Sequence, residues 1–214
     1  MVRILITRPE HDPLTRHLSY WNTVVIKIAK RKNNSVIDLH QNKANKKEFE
    51  GRIKKVNPSL VLLNGHGDDD SVCGHDNEVL VKKGENGAVL KKRITYAVAC
   101  SAAKLLGAEV CAEKDTSFIG YDDYFILNID RDFLVNPLND KRAEKFLDSS
   151  NRVAISLIKG HNCKEASENS KKAFRKRIIS LLANSDDPNA LDDAKDLYWN
   201  MNHQVCLGNE NARL

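Results

Sequence analysis

The sequence has no CxxC pair, no apolar run long enough to cross a membrane and no N-terminal segment of signal-peptide type. Its five cysteines are odd in number and scattered along the chain, which argues against a disulfide framework and favours a reducing compartment. Repeats, low-complexity tracts and obvious linkers are also missing. We therefore expect a cytoplasmic protein without a membrane-spanning segment.

The formal net charge is +5, and basic residues cluster in four places. These clusters are not interleaved with aromatic residues as in single-strand binding proteins, and they match no nucleic-acid motif. The stretch Gly84 to Gly87 lies in a predicted hairpin turn rather than before a helix, so it does not indicate a phosphate loop. We interpret the clusters as solvated helix faces and expect no direct nucleic-acid binding, although a basic nucleic-acid-binding α/β module stays an alternative.

The N-terminal half alternates strand and helix patterns, which is typical of βαβ units and a mostly parallel sheet. Leu60 to Leu63 is apolar without alternation, as expected of a parallel strand covered on both faces. We predict a three-layer α/β fold with helices on both faces. The predicted elements before the central motifs are strand Val2 to Thr7, helix Pro13 to Lys32, strand Val36 to Leu39, helix Lys46 to Val56 and strand Leu60 to Leu63.

The rest of the chain continues with a short interruption and then becomes helical. A hairpin is predicted from Glu78 to Lys83, a turn at Gly84 to Gly87 and a second arm at Ala88 to Leu90. We then predict strand Ile94 to Ala99, a helix from Ala102 that stops at Gly107, and strand Ser117 to Tyr121. Three helices follow, Asp140 to Ile158, Cys163 to Ala183 and Pro188 to Asn202, and the third is opened by a capping region at Ser185 to Asp187. A last strand is predicted before Gly208.

With 214 residues, 41% of them hydrophobic, the chain is expected to form one domain, 1–214. Within it, 1–136 would form the α/β catalytic core. The remainder, 137–214, would pack its helices and last strand on the same core.

Two buried strands end in reactive side chains. The first runs into His66-Gly67 and the second into Cys100-Ser101. A cysteine is a strong nucleophile only as its thiolate, and a histidine beside it can take its proton. Together the two motifs indicate a cysteine peptidase with Cys100 as nucleophile and His66 as base and acid.

This order of motifs, with the histidine first and a hairpin between them, resembles the caspase-like cysteine peptidases, including bacterial CHAT, gingipain and metacaspase-type domains. The resemblance covers roughly Leu60 to Tyr121. It implies a three-layer caspase-like fold, a small β-hairpin between the two motifs, and an oxyanion hole formed by the backbone N–H groups of Gly67 and Cys100. It also suggests, by analogy, a bacterial defence setting.

The resemblance places the S1 pocket among the loops after the first strand and after the strand that follows the cysteine. We predict Asp122, Asp123, Glu10 and Asp12 as its residues, which would select a basic P1 side chain. Arg8 in the same loops would instead select Asp. No third catalytic residue is assigned to orient His66.

Metal ligands and cofactors are not expected. His66, Cys73 and His75 do not have the spacing of a structural zinc site, and Asp68 to Asp70 lacks the glycine and distal glutamate of an EF-hand loop. The predicted function is endopeptidase cleavage of a protein substrate, regulated by a protein partner or activator. A catalytically silent interaction domain of the same fold is an alternative, and a small-molecule transferase or hydrolase ranks below it.

Overall fold

The computed structural model describes residues 1–112, 115–183 and 186–214. Within these, the strands are β1 (Arg3–Arg8), β2 (Ser35–His40), β3 (Leu60–Asn64), β4 (Gly67–Asp68), β5 (Ser71–Cys73), β6 (Val79–Lys82), β7 (Ile94–Val98), β8 (Ser117–Tyr121) and β9 (Gln204–Gly208). The α-helices are α1 (Pro13–Arg31), α2 (Lys46–Val56), α3 (Ala108–Val110), α4 (Lys141–Ile158), α5 (Cys163–Leu182) and α6 (Ala190–His203).

Six strands form the main sheet in the order β2-β1-β3-β7-β8-β9. Among the described strands of this sheet, only the β8–β9 pair is antiparallel. The chain therefore has the predicted α/β architecture with a mostly parallel sheet. Because neighbouring parallel strands end at the same edge, the loops after β1, β3, β7 and β8 all meet there.

Helices cover both faces of this sheet, as the fully buried strands β3 and β7 require. One face packs against α1 and α4, through residues such as Trp21, Val25 and Leu147. The other face packs against α2, the small sheet and α3, through Phe49, Val81 and others. A third apolar cluster joins α4, α5 and α6.

Most predicted elements are found within two residues of their expected bounds. The last strand, β9, pairs antiparallel with β8 and closes that side of the sheet. Two details differ. Gly107 does not stop a helix, because it has helical dihedrals and joins a π-helical turn, Ala103–Gly107, to α3. Helix α6 begins at Ala190 after Asn189 rather than at Pro188, and Ser185 of the predicted capping region lies outside the described residues.

The hairpin between the histidine and cysteine motifs exists. Its first predicted arm is strand β6, whereas its second predicted arm, Ala88 to Leu90, was wrong. Strand β6 pairs with β5, which precedes it, and β5 pairs with β4, giving a three-stranded antiparallel sheet. Residues Gly87–Leu90 form a 3-10 turn instead of the second arm. The polar segment after Gly67 hid two short strands because Val72 is its only strongly apolar residue besides Cys73.

In the part of the chain that the structure describes, no helix is long and apolar enough to serve as a membrane span.

Candidate functional site

His66 and Cys100 follow two adjacent strands at the same edge of the sheet. Strands β3 and β7 are parallel and in register, with Asn64 opposite Val98. His66 and Cys100 each lie two residues beyond that pair. Both side chains line a small, mainly apolar cavity of about 40 Å³, whose walls also include Leu14, Leu18, Val98, Phe125 and Leu127. The register of the sheet thus brings the predicted base and nucleophile together.

The His66 ring contacts Asp12 through one of its nitrogens. His66 Nε2 lies 2.7 Å from Asp12 Oδ2. Asp12 is also the N-cap of α1, where its Oδ1 accepts a hydrogen bond from the Thr15 N–H at 2.9 Å. Asp12 follows β1, which lies next to β3, so the sheet brings it beside His66. This contact gives His66 an orienting carboxylate.

The environment of Asp12 favours its ionised form. Burial alone would raise its pKa, but the hydrogen bonds from Thr15 and His66 and the nearby imidazoles of His66 and His11 outweigh it. The pKa of Asp12 is therefore below its ordinary value. A charged carboxylate on Nε2 leaves the Nδ1 of His66 as the ring nitrogen for proton exchange with another group.

Cys100 is half-buried, and its surroundings raise the pKa of its thiol. Burial raises its pKa, and the charge of Asp123 adds to this, while backbone hydrogen bonds with Phe125 and Cys100 itself act in the opposite direction. The Sγ atom lies 4.0 Å from the Phe125 carbonyl oxygen. All five cysteines are free, and burial raises the pKa of Cys111 to about 11 and that of Cys206 to about 12.

Gly67 packs directly against the backbone of Cys100. A Cβ on Gly67 would lie 2.8 Å from the Cys100 carbonyl oxygen and 2.8 Å from Ala99 Cβ, so only glycine fits.

In the small sheet, the Cys73 N–H donates to His66 O at 2.9 Å. Hydrogen-bonded and non-bonded pairs alternate along an antiparallel ladder, which makes Gly67 and Val72 a non-bonded pair. The Gly67 N–H therefore points away from β5.

Asp122 and Asp123 follow β8, immediately beside the cysteine loop. The Asp123 carbonyl accepts a hydrogen bond from the Ser101 N–H at 2.9 Å, which ties the two loops together. The Asp122 carboxylate lies 2.8 Å from His203 Nδ1 and is 43% exposed. Both carboxylates help to raise the pKa of Lys104, after the larger effect of Asp69. These two predicted S1 residues thus lie close to Cys100.

Glu10 has a different environment from the one expected of an S1 residue. Its side chain is only 5% exposed and contacts Arg16 at 3.0 Å and His40 at 2.8 Å. Arg8, the residue that would favour an acidic P1, is likewise occupied by Asp38 at 2.7 Å. Neither side chain presents a free charge toward the cavity.

An extended segment, 124–130, runs beside Cys100. Its odd-numbered side chains, Phe125, Leu127 and Ile129, pack against the core. The backbone N–H and C=O of Ile126 face α6. The Ile126 N–H donates to Asn200 Oδ1 at 2.9 Å, and Asn200 Nδ2 donates to the Ile126 carbonyl oxygen at 2.7 Å. Among the described residues, the N–H groups of Phe125 and Leu127 have no hydrogen-bond partner. The segment therefore presents a free edge on the side opposite α6.

Comparison with protein-family models and with curated proteins gives no match to this chain. The argument for a function therefore depends on the site's geometry.

Reasoning from the sequence missed the orienting role of Asp12, which it placed in the S1 pocket. The available signal was positional: an acidic residue just before Pro13, in the loop after a strand that neighbours the histidine strand. It also missed His11, whose ring lies 5.9 Å from that of His66.

Proposed function

We propose that the protein is a cysteine endopeptidase of the caspase-like type, with Cys100 as nucleophile and His66 as general base and acid. The observation that carries this proposal is the meeting of His66 and Cys100 at one cavity, with Asp12 Oδ2 2.7 Å from His66 Nε2. Cys100, His66 and Asp12 thus have the arrangement of a nucleophile, its base and a carboxylate that orients the base.

The chemistry follows from these positions. His66 Nδ1 takes the Cys100 proton, and the thiolate attacks the carbonyl carbon of the scissile peptide bond. The resulting oxyanion is held by the N–H groups of Gly67 and Cys100. His66 then protonates the leaving amine as the C–N bond breaks. Water, with its proton taken by His66, hydrolyses the acyl-enzyme and restores the thiol.

The site also supports an extended peptide as substrate. The N–H groups of Phe125 and Leu127, which have no hydrogen-bond partner within the described part of the chain, lie beside the nucleophile. An extended peptide binds such an edge through main-chain hydrogen bonds. Asp122 and Asp123 favour a basic side chain at P1. The cavity beside Cys100 is small, about 40 Å³, so the extended peptide would lie over it rather than inside it. Control by a protein partner or activator is part of this proposal.

The test is covalent labelling with peptide acyloxymethyl ketones that carry Arg, Lys, Asp, Asn or Leu at P1, read by intact mass and by mapping the labelled residue. Cys100→Ala and His66→Ala should abolish or strongly slow labelling. Cys73→Ala and His161→Ala are matched controls, because they remove the same residue types outside the cavity. We expect the Arg or Lys probe to react fastest.

Two other outcomes would change the proposal. If Cys100 of the folded protein reacts with no probe and no faster than Cys73 with a simple alkylator, the catalytically silent interaction domain is the better assignment. If Cys100 labels equally well in His66→Ala, the dyad is not formed. The proposed compartment is the cytoplasm, in keeping with five free cysteines.

A further inference from the structure

Three side chains that can ligate a metal, those of His11, Asp12 and His66, lie together. His11 Nε2 lies 3.2 Å from Asp12 Oδ2, and the same oxygen lies 2.7 Å from His66 Nε2. A fourth candidate ligand atom, Asn77 Oδ1, lies 3.2 Å from His11 Nε2. Within the described residues, the three ligating atoms of His11, Asp12 and His66 all fall within 4.8 Å of one another.

These separations suit a small tetrahedral cation. For a metal held at about 2.05 Å by nitrogen and oxygen, neighbouring ligand atoms of a tetrahedron lie about 3.3 Å apart. The separations of Asp12 Oδ2 from His66 Nε2 and from His11 Nε2, 2.7 and 3.2 Å, need only a slight expansion to reach that value. The ligand atoms of the two histidines lie within 4.8 Å of each other. Two imidazoles and one carboxylate are ligands that favour Zn²⁺ over Ca²⁺ or Mg²⁺.

The ligands are held in place before any metal binds. The Thr15 hydroxyl accepts from the backbone N–H groups of both His11 and Asp12, at 3.2 and 3.1 Å. Asp12 Oδ1 is fixed by the Thr15 N–H, so its Oδ2 is the oxygen left for a cation. The His11 side chain is 11% exposed, whereas that of His66 is 40% exposed. The cluster is therefore buried on the side of His11 and open to solvent on the side of His66.

The two nitrogens of the His11 ring have different environments. Nδ1 is buried and has no hydrogen-bond partner among the described residues. Nε2, the atom that would bind the metal, lies 3.2 Å from both Asp12 Oδ2 and Asn77 Oδ1. These two oxygens have lone pairs that a cation beside Nε2 could share.

We propose that His11, Asp12 and His66 form a binding site for Zn²⁺, with Asn77 or a water as the fourth ligand. The second cluster of this region, His11, His75 and Asp76, is less suited to the role. His75 Nδ1 already accepts the Glu10 N–H, and the Asp76 side chain is 83% exposed and 3.8 Å from His75 Nε2.

Zinc at this site would switch off the dyad, a consequence that rests on the proposed function. The metal takes Asp12 Oδ2 and His66 Nε2, so Asp12 no longer supports a proton on the histidine. A ring that bears a divalent cation does not readily accept a further positive charge. Cys100 would then stay a protonated thiol, and zinc would act as a reversible inhibitor.

The experiment measures Zn²⁺ affinity directly, by competition with a chromogenic chelator, and ligand type by the visible absorption of the Co²⁺ form. We expect His11→Ala and His66→Ala each to weaken binding by more than about 100-fold, because each removes a ligand. His161→Ala and Cys100→Ala should bind as the wild type does. The Co²⁺ spectrum should lack a thiolate charge-transfer band. Circular dichroism melts check that every variant is folded.

Each alternative result overturns the site. Loss of binding in Cys100→Ala, with a thiolate band, would place the metal inside the dyad. Loss in His75→Ala but not in His66→Ala would place it in the second cluster. Equal Zn²⁺ binding by wild type, His11→Ala and His66→Ala would rule out both clusters as the zinc site. Because these measurements do not use peptidase activity, they stand even if no probe labels Cys100. Slower probe labelling in Zn²⁺ that is relieved in His11→Ala tests the inhibition separately.

Discussion

Asp12 serves two structures at once, since one carboxylate oxygen caps α1 and the other contacts His66. Asn is as good an N-cap as Asp, so Asp12→Asn keeps the helix start while removing the charge. We expect the rate of Cys100 labelling to fall by about 10- to 100-fold with little change in thermal stability. Asp192→Asn, on an exposed part of α6, is the control. An unchanged labelling rate would show that His66 needs no carboxylate.

Asp123 and Asp122 are neighbours with different electrostatic effects on the nucleophile. The negative charge of Asp123 contributes to raising the pKa of Cys100, whereas Asp122 has no such contribution. Removing the Asp123 charge stabilises the thiolate, so Asp123→Asn should lower the pKa of Cys100. At neutral pH it should therefore speed alkylation of this thiol by an uncharged reagent.

The measurement is the pH dependence of the alkylation rate at Cys100 by peptide mapping. The midpoint should move to lower pH in Asp123→Asn and stay in place in Asp122→Asn. Equal shifts in the two variants would mean that the effect comes from general charge near the sheet edge rather than from Asp123.

At the residue scale, the meeting of His66 and Cys100 could be predicted because each follows a recognisable apolar strand. Asp12 and His11 carry no such signal: they precede a helix, where Asp is an ordinary N-cap. Their role depends on β1 lying beside β3, which is a property of the strand order. Likewise, the burial of Glu10 depends on Arg16 and His40, and that pairing is made only in the folded chain.

Among the elements, the small sheet is what holds the histidine loop against the cysteine loop. Gly67→Ala would place a methyl carbon 2.8 Å from the Cys100 carbonyl oxygen. The two loops must then separate, which should cost about 1–3 kcal/mol in the free energy of unfolding and slow Cys100 labelling. Denaturant titration and the labelling assay report the two effects.

Gly51→Ala is a matched control for this substitution. Gly51 lies inside α2, and a Cβ there meets nothing within 4 Å. Alanine should raise the free energy of unfolding by about 0.5–1 kcal/mol, because it has the higher helix propensity. If both glycine variants are equally stable and equally reactive, the close approach of Gly67 to Cys100 does not shape the site.

Elements were predictable where the apolar pattern was long. Helices α1, α2 and α4 and the buried strands have periodic or continuous apolar residues, and their bounds follow from Pro13, Pro58 and Asp140. The short strands β4 and β5 were not predictable, because segments of two or three residues become strands only through their partners. The apolar stretch Ala88 to Leu90 predicts a strand, but Leu90 is buried in a 3-10 turn, Gly87–Leu90.

At the scale of the whole molecule, the candidate site and the stabilising contacts of residues 209–214 lie at opposite edges of the sheet. The site occupies the carboxyl ends of the parallel strands. The last residues, 209–214, lie at the other edge, where the Asn209 N–H donates to Thr116 O, just before β8 begins. Residues 209–214 also accept two hydrogen bonds from the first turn of α5. The Cys163 N–H donates to Ala212 O, and the Lys164 N–H donates to Glu210 O. Ala212 and Leu214 also pack against the core.

Removing residues 209–214 should therefore destabilise the protein without altering the chemistry. Two helix N–H groups lose their acceptors and two apolar side chains are lost, which together should lower the free energy of unfolding by about 2–4 kcal/mol. The β9 strand is kept, so β8 is not left as an open edge. At a temperature where both forms are folded, the labelling rate of Cys100 should equal that of the full chain. A slower rate in the folded truncated protein would show that the tail's support of β8 and α5 extends to the cysteine loop, and that the two edges are mechanically coupled through the sheet.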